Sequence, residues 1–291
     1  MVLSYPEFFV IYASSLVLAT VIGLLVLVGW KDIWLRKILR SARYNAVYLA
    51  ILAALPLLIE LHGFLEGGPS GPGETANEVR YTSWVFDLGG DIVKIVQSWL
   101  NYGIVTDFFI IIYAWLFYFL IYFAPVLLLA RDDRLTLRKY AIAFIITYCI
   151  LTLFYTLFPV SVSSSYTETG VVPILYVNTY WGRMVTNMDP LNNDFPSGHV
   201  SLSVTAFLIF ATAGTTYRRF SYFLGAATVA TVVAVLCLGI HWPADVLAGF
   251  LVGIFAAVAA RNDRIQMTID GWVRAISDWI LKPAEEVSRP K

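Results

Sequence analysis

Two short polar clusters stand at the ends of apolar runs: Asp194-Phe195-Pro196-Ser197-Gly198-His199 and His241-Trp242-Pro243-Ala244-Asp245. The first opens a helix after Pro196. Amides in a first helical turn have no intrahelical partners and attract anions. Gly198 allows close backbone approach, and Ser197 adds a hydroxyl donor. This pattern suits a phosphate. It is equally the pattern of a capped helix with a surface histidine. In the second cluster Pro243 fits the first turn of a helix. Asp245 then lies in that turn, within reach of His241. A carboxylate on one imidazole nitrogen fixes the tautomer and raises the basicity of the other, giving an oriented nucleophile or base. The plainer reading is an interfacial His-Trp pair beside an aspartate favoured by the helix dipole.

The elements around these clusters must bring them together. Hydrophobic residues make up 59% of the 291-residue chain and charged residues 14%, with mean hydropathy +0.72. Soluble domains carry about 25% charge. Candidate spans lie at about 8–30, 44–62, 104–130, 140–160, 198–214, 221–240 and 243–260, each near the roughly 20 residues a membrane helix needs. The expected fold is all-α: a polytopic membrane helical bundle of about seven transmembrane helices, with interfacial amphipathic helices. The chain between the clusters leaves one membrane face and returns to it, so His199 and His241 meet on one side.

Loop charge sets the orientation. Lys31, Arg36, Lys37, Arg40 and Arg43 follow the first span; Arg131, Arg134, Arg138 and Lys139 follow the third; Arg218 and Arg219 follow the fifth. The alternate loops are acid-rich. The basic loops are therefore placed in the cytoplasm and the histidine clusters on the extracytoplasmic face, consistent with a plasma membrane protein. The first apolar run is too long for a cleaved signal and lacks a preceding basic residue. It reads as a retained span with its N-terminus outside.

Three regions follow: N-terminal helices with an outer loop (1–135), a membrane core carrying both clusters (136–262) and a cytoplasmic amphipathic tail (263–291). The outer loop starts with the breaker Gly67-Gly68-Pro69-Ser70-Gly71-Pro72-Gly73. Helical spacing of Val85, Leu88, Ile92, Val96 and Leu100 predicts a surface helix, either a lid or an edge seal. In the tail, Ile265, Ile269, Trp272, Val273, Ile276, Trp279 and Ile280 share one face, and Asp270, Arg274, Asp278 and Lys282 the other. Its expected role is anchoring.

Net charge is zero, so general attraction to nucleic acid is not indicated. Cys149 and Cys237 lie in apolar runs and read as packing residues. No group has zinc-ligand spacing, and no metal or cofactor is expected. His62 has no motif around it and reads as a surface or interface residue.

Phe195-Pro196-Ser197-Gly198-His199, followed about 40 residues later by Gly239-Ile240-His241-Trp242-Pro243-Ala244-Asp245, resembles the second and third signatures of the type 2 phosphatidic acid phosphatase superfamily. The resemblance covers about 140–260. It implies that His241 attacks phosphorus, that Asp245 orients it and that His199 protonates the leaving group. Ser197 and Gly198 match phosphate-cradling positions. Two departures stand out. The Ser-Arg pair ahead of the third-signature histidine is replaced by Ala234 and Val235, and the Lys…Arg-Pro signature by the uncharged stretch 157–163. Arg183, the basic residue of the outer loop before His199, is the candidate replacement cation. Ser161, Ser163, Ser164 and Ser165 add neutral donors.

The implied function is a lipid-phosphate phosphatase, acting on phosphatidate-like or polyprenyl phosphates through a phosphohistidine. Its partners are the bilayer and a membrane lipid. Lacking the full phosphatase signatures while keeping His, His and Asp is similar to the inositol-phosphorylceramide and sphingomyelin synthases, which makes lipid phosphoalcohol transfer the alternative. A transporter or scaffold with a decayed site is the reading of a different class.

Overall fold

The computed structural model describes residues 4–65, 81–178, 180–186 and 191–281, with side chains throughout except at 58–65, 167 and 276–281. The Gly67–Gly73 breaker, the acidic residues between Glu66 and Glu78, the His62 side chain and the last tail positions lie outside what is described.

Helices account for nearly all regular structure among the described residues. α1 (Tyr5–Leu27), α2 (Leu35–Tyr44) and α3 (Ala46–Leu65) lead to two short helices, α4 (Thr82–Asp87) and α5 (Asp91–Leu100). α6 (Gly103–Ile111) passes through a π-helical turn, Ile112–Leu116, into α7 (Phe117–Arg131). α8 (Arg134–Leu157), the six-residue α9 (Trp181–Thr186), α10 (Gly198–Ala211), α11 (Arg218–Cys237), α12 (Pro243–Ala259) and α13 (Asp263–Leu281) complete the chain. Among the described residues no strand forms; one isolated parallel bridge joins Val160 and Asn193.

The expected seven spans are not all clearly seen. Among the described residues, four helical stretches are long and apolar enough to cross a membrane: Tyr5–Leu27, Gly103–Arg131, Arg134–Leu157 and Thr215–Cys237. A fifth arises only if α12 and α13, bent by 84°, form one span. α10 has 14 residues, about 21 Å at 1.5 Å per residue, against a hydrocarbon core of about 30 Å. The helices sit where expected, but Gly198–Ala211 is too short to qualify, while α3 runs 20 residues.

α10 is short because it is central. It packs against α8, α11 and α12, and close approach to α12 depends on two glycines. A Cβ on Gly249 would lie 2.9 Å from the Ser197 carbonyl oxygen, and one on Gly253 would lie 2.7 Å from that of Ser201. The Gly249/Gly253 pair thus packs helices within this chain. Thr147 and Thr205 share a buried hydrogen bond of 3.1 Å between α8 and α10. α1, by contrast, leaves Phe9, Val17, Val21 and Val26 exposed, which suits a helix facing lipid.

The basic turns gather at one end. Arg40 of α2 reaches Asp132 at 3.8 Å, and Tyr217 donates to Asp133 at 2.9 Å. Arg131 donates to the Leu27 carbonyl, and Arg261 to that of Leu208 at 3.2 Å. The histidine clusters occupy the other end. The expected continuous outer helix is broken in two: Gly89 has φ +108, and a side chain on Gly90 would collide with Phe86 and Trp242. α5 is bolted down by Gln97, whose amide nitrogen donates to the carbonyls of Val172 (2.9 Å) and Cys237 (3.1 Å). Its carbonyl accepts from the Val172 amide at 2.9 Å. Those contacts favour a seal over a lid. In α13 Asp270, expected on the polar face, is buried, while Trp272 is exposed. The reason is a pair of partners: Tyr48 and Arg138 both bond the Asp270 carboxylate.

Candidate active site

An extended segment, residues 160–164, is the spine of the site. On one side Val160 and Val162 amides donate to Asn192 (3.2 Å) and Leu191 (3.0 Å), and the Asp194 amide donates back to Val160 at 3.1 Å. On the other side Ser163 and Ser164 amides donate to Ile240 (2.9 Å) and Gly239 (3.0 Å). One strand of backbone therefore places Asp194 and His241 next to each other. The Ser197 amide donates to the Asp245 carbonyl at 3.1 Å, which pins the start of α10 to that of α12.

His241 is 4% exposed, and its Nδ1 faces two carboxylates. Asp194 Oδ1 lies at 2.8 Å and Asp245 Oδ2 at 3.5 Å. The nearer separation is within hydrogen-bond reach, but the ring N–H is not aimed at either oxygen. Catalytic hydrogen bonds are often misaligned before substrate binds. Asp245 is already engaged: its Oδ2 accepts from the Trp242 amide at 2.7 Å, closing the first turn of α12. Trp242 is itself fixed, donating its indole N–H to the Ser161 carbonyl at 2.9 Å. With Nδ1 turned to the carboxylates, Nε2 is the nitrogen left for chemistry.

His199 enters from α10. Its ring lies between Tyr113, with centroids 4.0 Å apart, and Phe117, at 4.1 Å. Tyr113 lies in the π-helical stretch joining α6 to α7, a deformation common at functional sites, and Phe117 is the first residue of α7. The two imidazoles are close enough to interact electrostatically. Ser197 caps α10, its Oγ accepting from the Val200 amide at 3.4 Å. Gly198 has a packing reason: a Cβ there would sit 3.0 Å from the Tyr155 hydroxyl.

Buried polar atoms without a hydrogen-bond partner concentrate here: Ser163 Oγ, Ser164 Oγ, the Asn193 amide, His199 Nε2 and Asp245 Oδ1. Each such atom costs about 1–3 kcal/mol of desolvation, so their clustering needs an explanation beyond folding. Asp194, His241 and Asp245 also present ligand atoms within 4.8 Å of one another, compact enough for a cation.

Five of the six expected site residues come together: Ser197, Gly198, His199, His241 and Asp245. Arg183 does not join them. It is exposed on α9 with its guanidinium 4.5 Å over the Tyr5 ring, and it forms no ion pair with the cluster among the described residues. Ala234 and Val235 are fully buried in an apolar cluster. Sequence reasoning missed three partners. Asp194 was visible as a charge adjoining the motif. Tyr113 and Phe117 sit in an unbroken apolar run and gave no signal.

Residues 154–265 match the family model of the PAP2 superfamily. The match begins in the last turn of α8, takes in both histidine clusters and ends in the first turn of α13. No curated protein and no solved structure matches the chain.

Proposed function

We propose that this protein is a membrane lipid-phosphate phosphatase working through a phosphohistidine at His241, on the extracytoplasmic face. The observation that carries the reading is His241 Nδ1 between Asp194 and Asp245, with the buried donors Ser163 Oγ, Ser164 Oγ, Asn193 Nδ2 and His199 Nε2 for a phosphate to satisfy.

In the first step His241 Nε2 attacks phosphorus as the ester P–O bond breaks. His199, protonated as the negative charge of the phosphate enters beside it, gives its proton to the leaving oxygen, and the freed alcohol departs. The carboxylates stabilise the positive charge that develops on His241. In the second step His199, now neutral, takes a proton from water. The hydroxide oxygen attacks phosphorus, the P–N bond breaks, and phosphate leaves with both histidines restored. Ser197, the first amides of α10 and the hydroxyls of Ser163 and Ser164 supply neutral donors to the phosphoryl oxygens.

A second reading is favoured by one feature. Ala234 and Val235 remove the cation site expected before the nucleophile and leave an apolar wall. A lipid hydroxyl replacing water as acceptor makes the same chemistry a phosphoalcohol transfer between lipids.

The test uses purified protein in lipid with labelled phosphatidate, polyprenyl diphosphate and phosphoalcohol donors. Phosphate release that disappears in His241→Ala supports hydrolysis. A new phospholipid that appears only with an added lipid alcohol supports transfer. Full activity in His241→Ala refutes the nucleophile.

A further inference from the structure

A second site lies at the opposite end of the bundle. Arg138 stands in the first turns of α8 and Tyr155 in the last, and Tyr155 touches the start of α10 by donating to the Pro196 carbonyl at 3.2 Å. Seventeen residues of helix separate the two by about 25 Å at 1.5 Å per residue. Around Arg138 the α2–α3 junction, α8 and α13 enclose a cavity of about 340 Å³, lined by Arg43, Asn45, Tyr48, Arg138, Asp270 and Arg274 among others.

Its charge is unbalanced. Three arginines face one aspartate, a net of two positive charges. Asp270 does not neutralise the surplus, because its oxygens are taken by Tyr48 and Arg138. Arg43 and Arg274 form no ion pair among the described residues, and Arg138 Nε is buried without an acceptor. α13 meets α12 at 84° and exposes Met267 and Trp272, so it lies across the bundle end, where a membrane surface would be.

A second, apolar groove is the next feature along α3, its first lining residue, Leu49, following Tyr48 of the cavity wall. Leu49, Leu52, Ala53 and Pro56 repeat at three- and four-residue intervals and form one stripe of α3, one turn on from Asn45, which precedes the helix. The stripe runs from the basic cavity into an apolar groove of about 130 Å³, walled by Tyr122 and Pro125 of α7 and Phe144 and Tyr148 of α8. A basic pocket at the surface followed by an apolar groove along the helices matches one molecule in charge and polarity.

The geometry points to a binding site for an anionic phospholipid in the leaflet opposite the histidines. Its phosphate sits between Arg43, Arg138 and Arg274, and one acyl chain runs along the α3–α7–α8 groove. The site is independent of the histidine chemistry. It gives α13 a role beyond anchoring, since α13 supplies one wall of the headgroup pocket.

The experiment is native mass spectrometry of the full-length protein in detergent, titrated with dioleoyl phosphatidylglycerol, dioleoyl phosphatidylcholine or chainless glycerol phosphate. Phosphatidylglycerol is expected to be retained in preference to phosphatidylcholine, and glycerol phosphate not at all. Arg43→Gln with Arg274→Gln, both exposed and without an ion pair among the described residues, is expected to weaken phosphatidylglycerol about twenty-five-fold, roughly fivefold per arginine at a membrane surface. The melting temperature should not change. Ala53→Trp fills the groove without touching the basic pocket and is expected to abolish retention of the two-chain lipid. Equal retention of both lipids, undiminished binding in the double variant, or glycerol phosphate binding as tightly as the lipid would each overturn the assignment.

Discussion

Asp194→Asn tests which carboxylate governs His241. The family resemblance assigns that role to Asp245. The distances argue for Asp194: 2.8 Å to Nδ1 against 3.5 Å. Asp245 Oδ2 is in addition held by the Trp242 amide at 2.7 Å, so part of its charge is already spent on the α12 cap. A hydrogen bond involving a charged group contributes about 1.5–3 kcal/mol, or about 10- to 150-fold in rate at 1.36 kcal/mol per tenfold. Asp194→Asn keeps the size of the side chain and removes the charge, so kcat should fall by that factor with KM nearly unchanged. Asp245→Asn should cost less than about tenfold in kcat, with a lowered melting temperature from the weakened cap, about 1 kcal/mol. Single-turnover phosphate release in proteoliposomes, with acid-labile phosphoprotein followed in parallel, separates formation from breakdown of the intermediate. Asp194→Asn within twofold of the parent, beside a hundredfold loss in Asp245→Asn, would refute the assignment.

Chelation gives a sharp alternative. If His241 is the nucleophile, saturating EDTA leaves turnover unchanged; loss of activity restored by a divalent cation would mean that Asp194, His241 and Asp245 act as ligands. Gly253→Val forces a side chain against the Ser201 carbonyl and Val204; such overpacking costs about 1–3 kcal/mol, read as a lower melting temperature together with lost activity. Arg183→Ala should change KM less than threefold, because that guanidinium lies over Tyr5 and not on the cluster; a tenfold rise would mean that it swings onto the phosphate.

The helices were legible because apolar runs and their charged borders are local properties of the chain. The meeting of His199 and His241 was legible for the same reason: each stands at the end of a run, and alternation of spans fixes the side. What governs spacing between helices was not. The shortness of α10 follows from its central packing against Gly249 and Gly253. Tyr113 and Phe117 reach His199 from a helix far earlier in the chain, through a π-helical turn that no residue type announces. Asp270 was assigned outward by periodicity, and its partners Tyr48 and Arg138 lie on other helices. Asp194 stood beside the motif, but its approach to His241 depends on the hydrogen bonds of residues 160–164, which no pattern of side chains encodes.

The missing cations bear on substrate. Among the described residues no lysine or arginine bonds the histidine cluster, and Trp242 is covered by Phe86 and Tyr166. A phosphomonoester dianion entering such a recess would face a desolvation cost that neutral donors repay only in part. A phosphodiester carries a single negative charge and loses less on entry. Serine hydroxyls and helix amides act more strongly on it in a dry site than in water. On the transfer reading, the kcat/KM for a phosphodiester lipid donor should therefore exceed that for a monoester of the same chains by about tenfold or more, one pK-unit equivalent of charge interaction. Val235→Arg would restore a cation six residues before His241 and should reverse the preference. The reversal requires that the variant still melt cooperatively, since Val235 is fully buried. A parent enzyme that prefers the monoester would show that charge is supplied from elsewhere, and Arg183 and Lys94, both on the histidine side, would then be the residues to substitute.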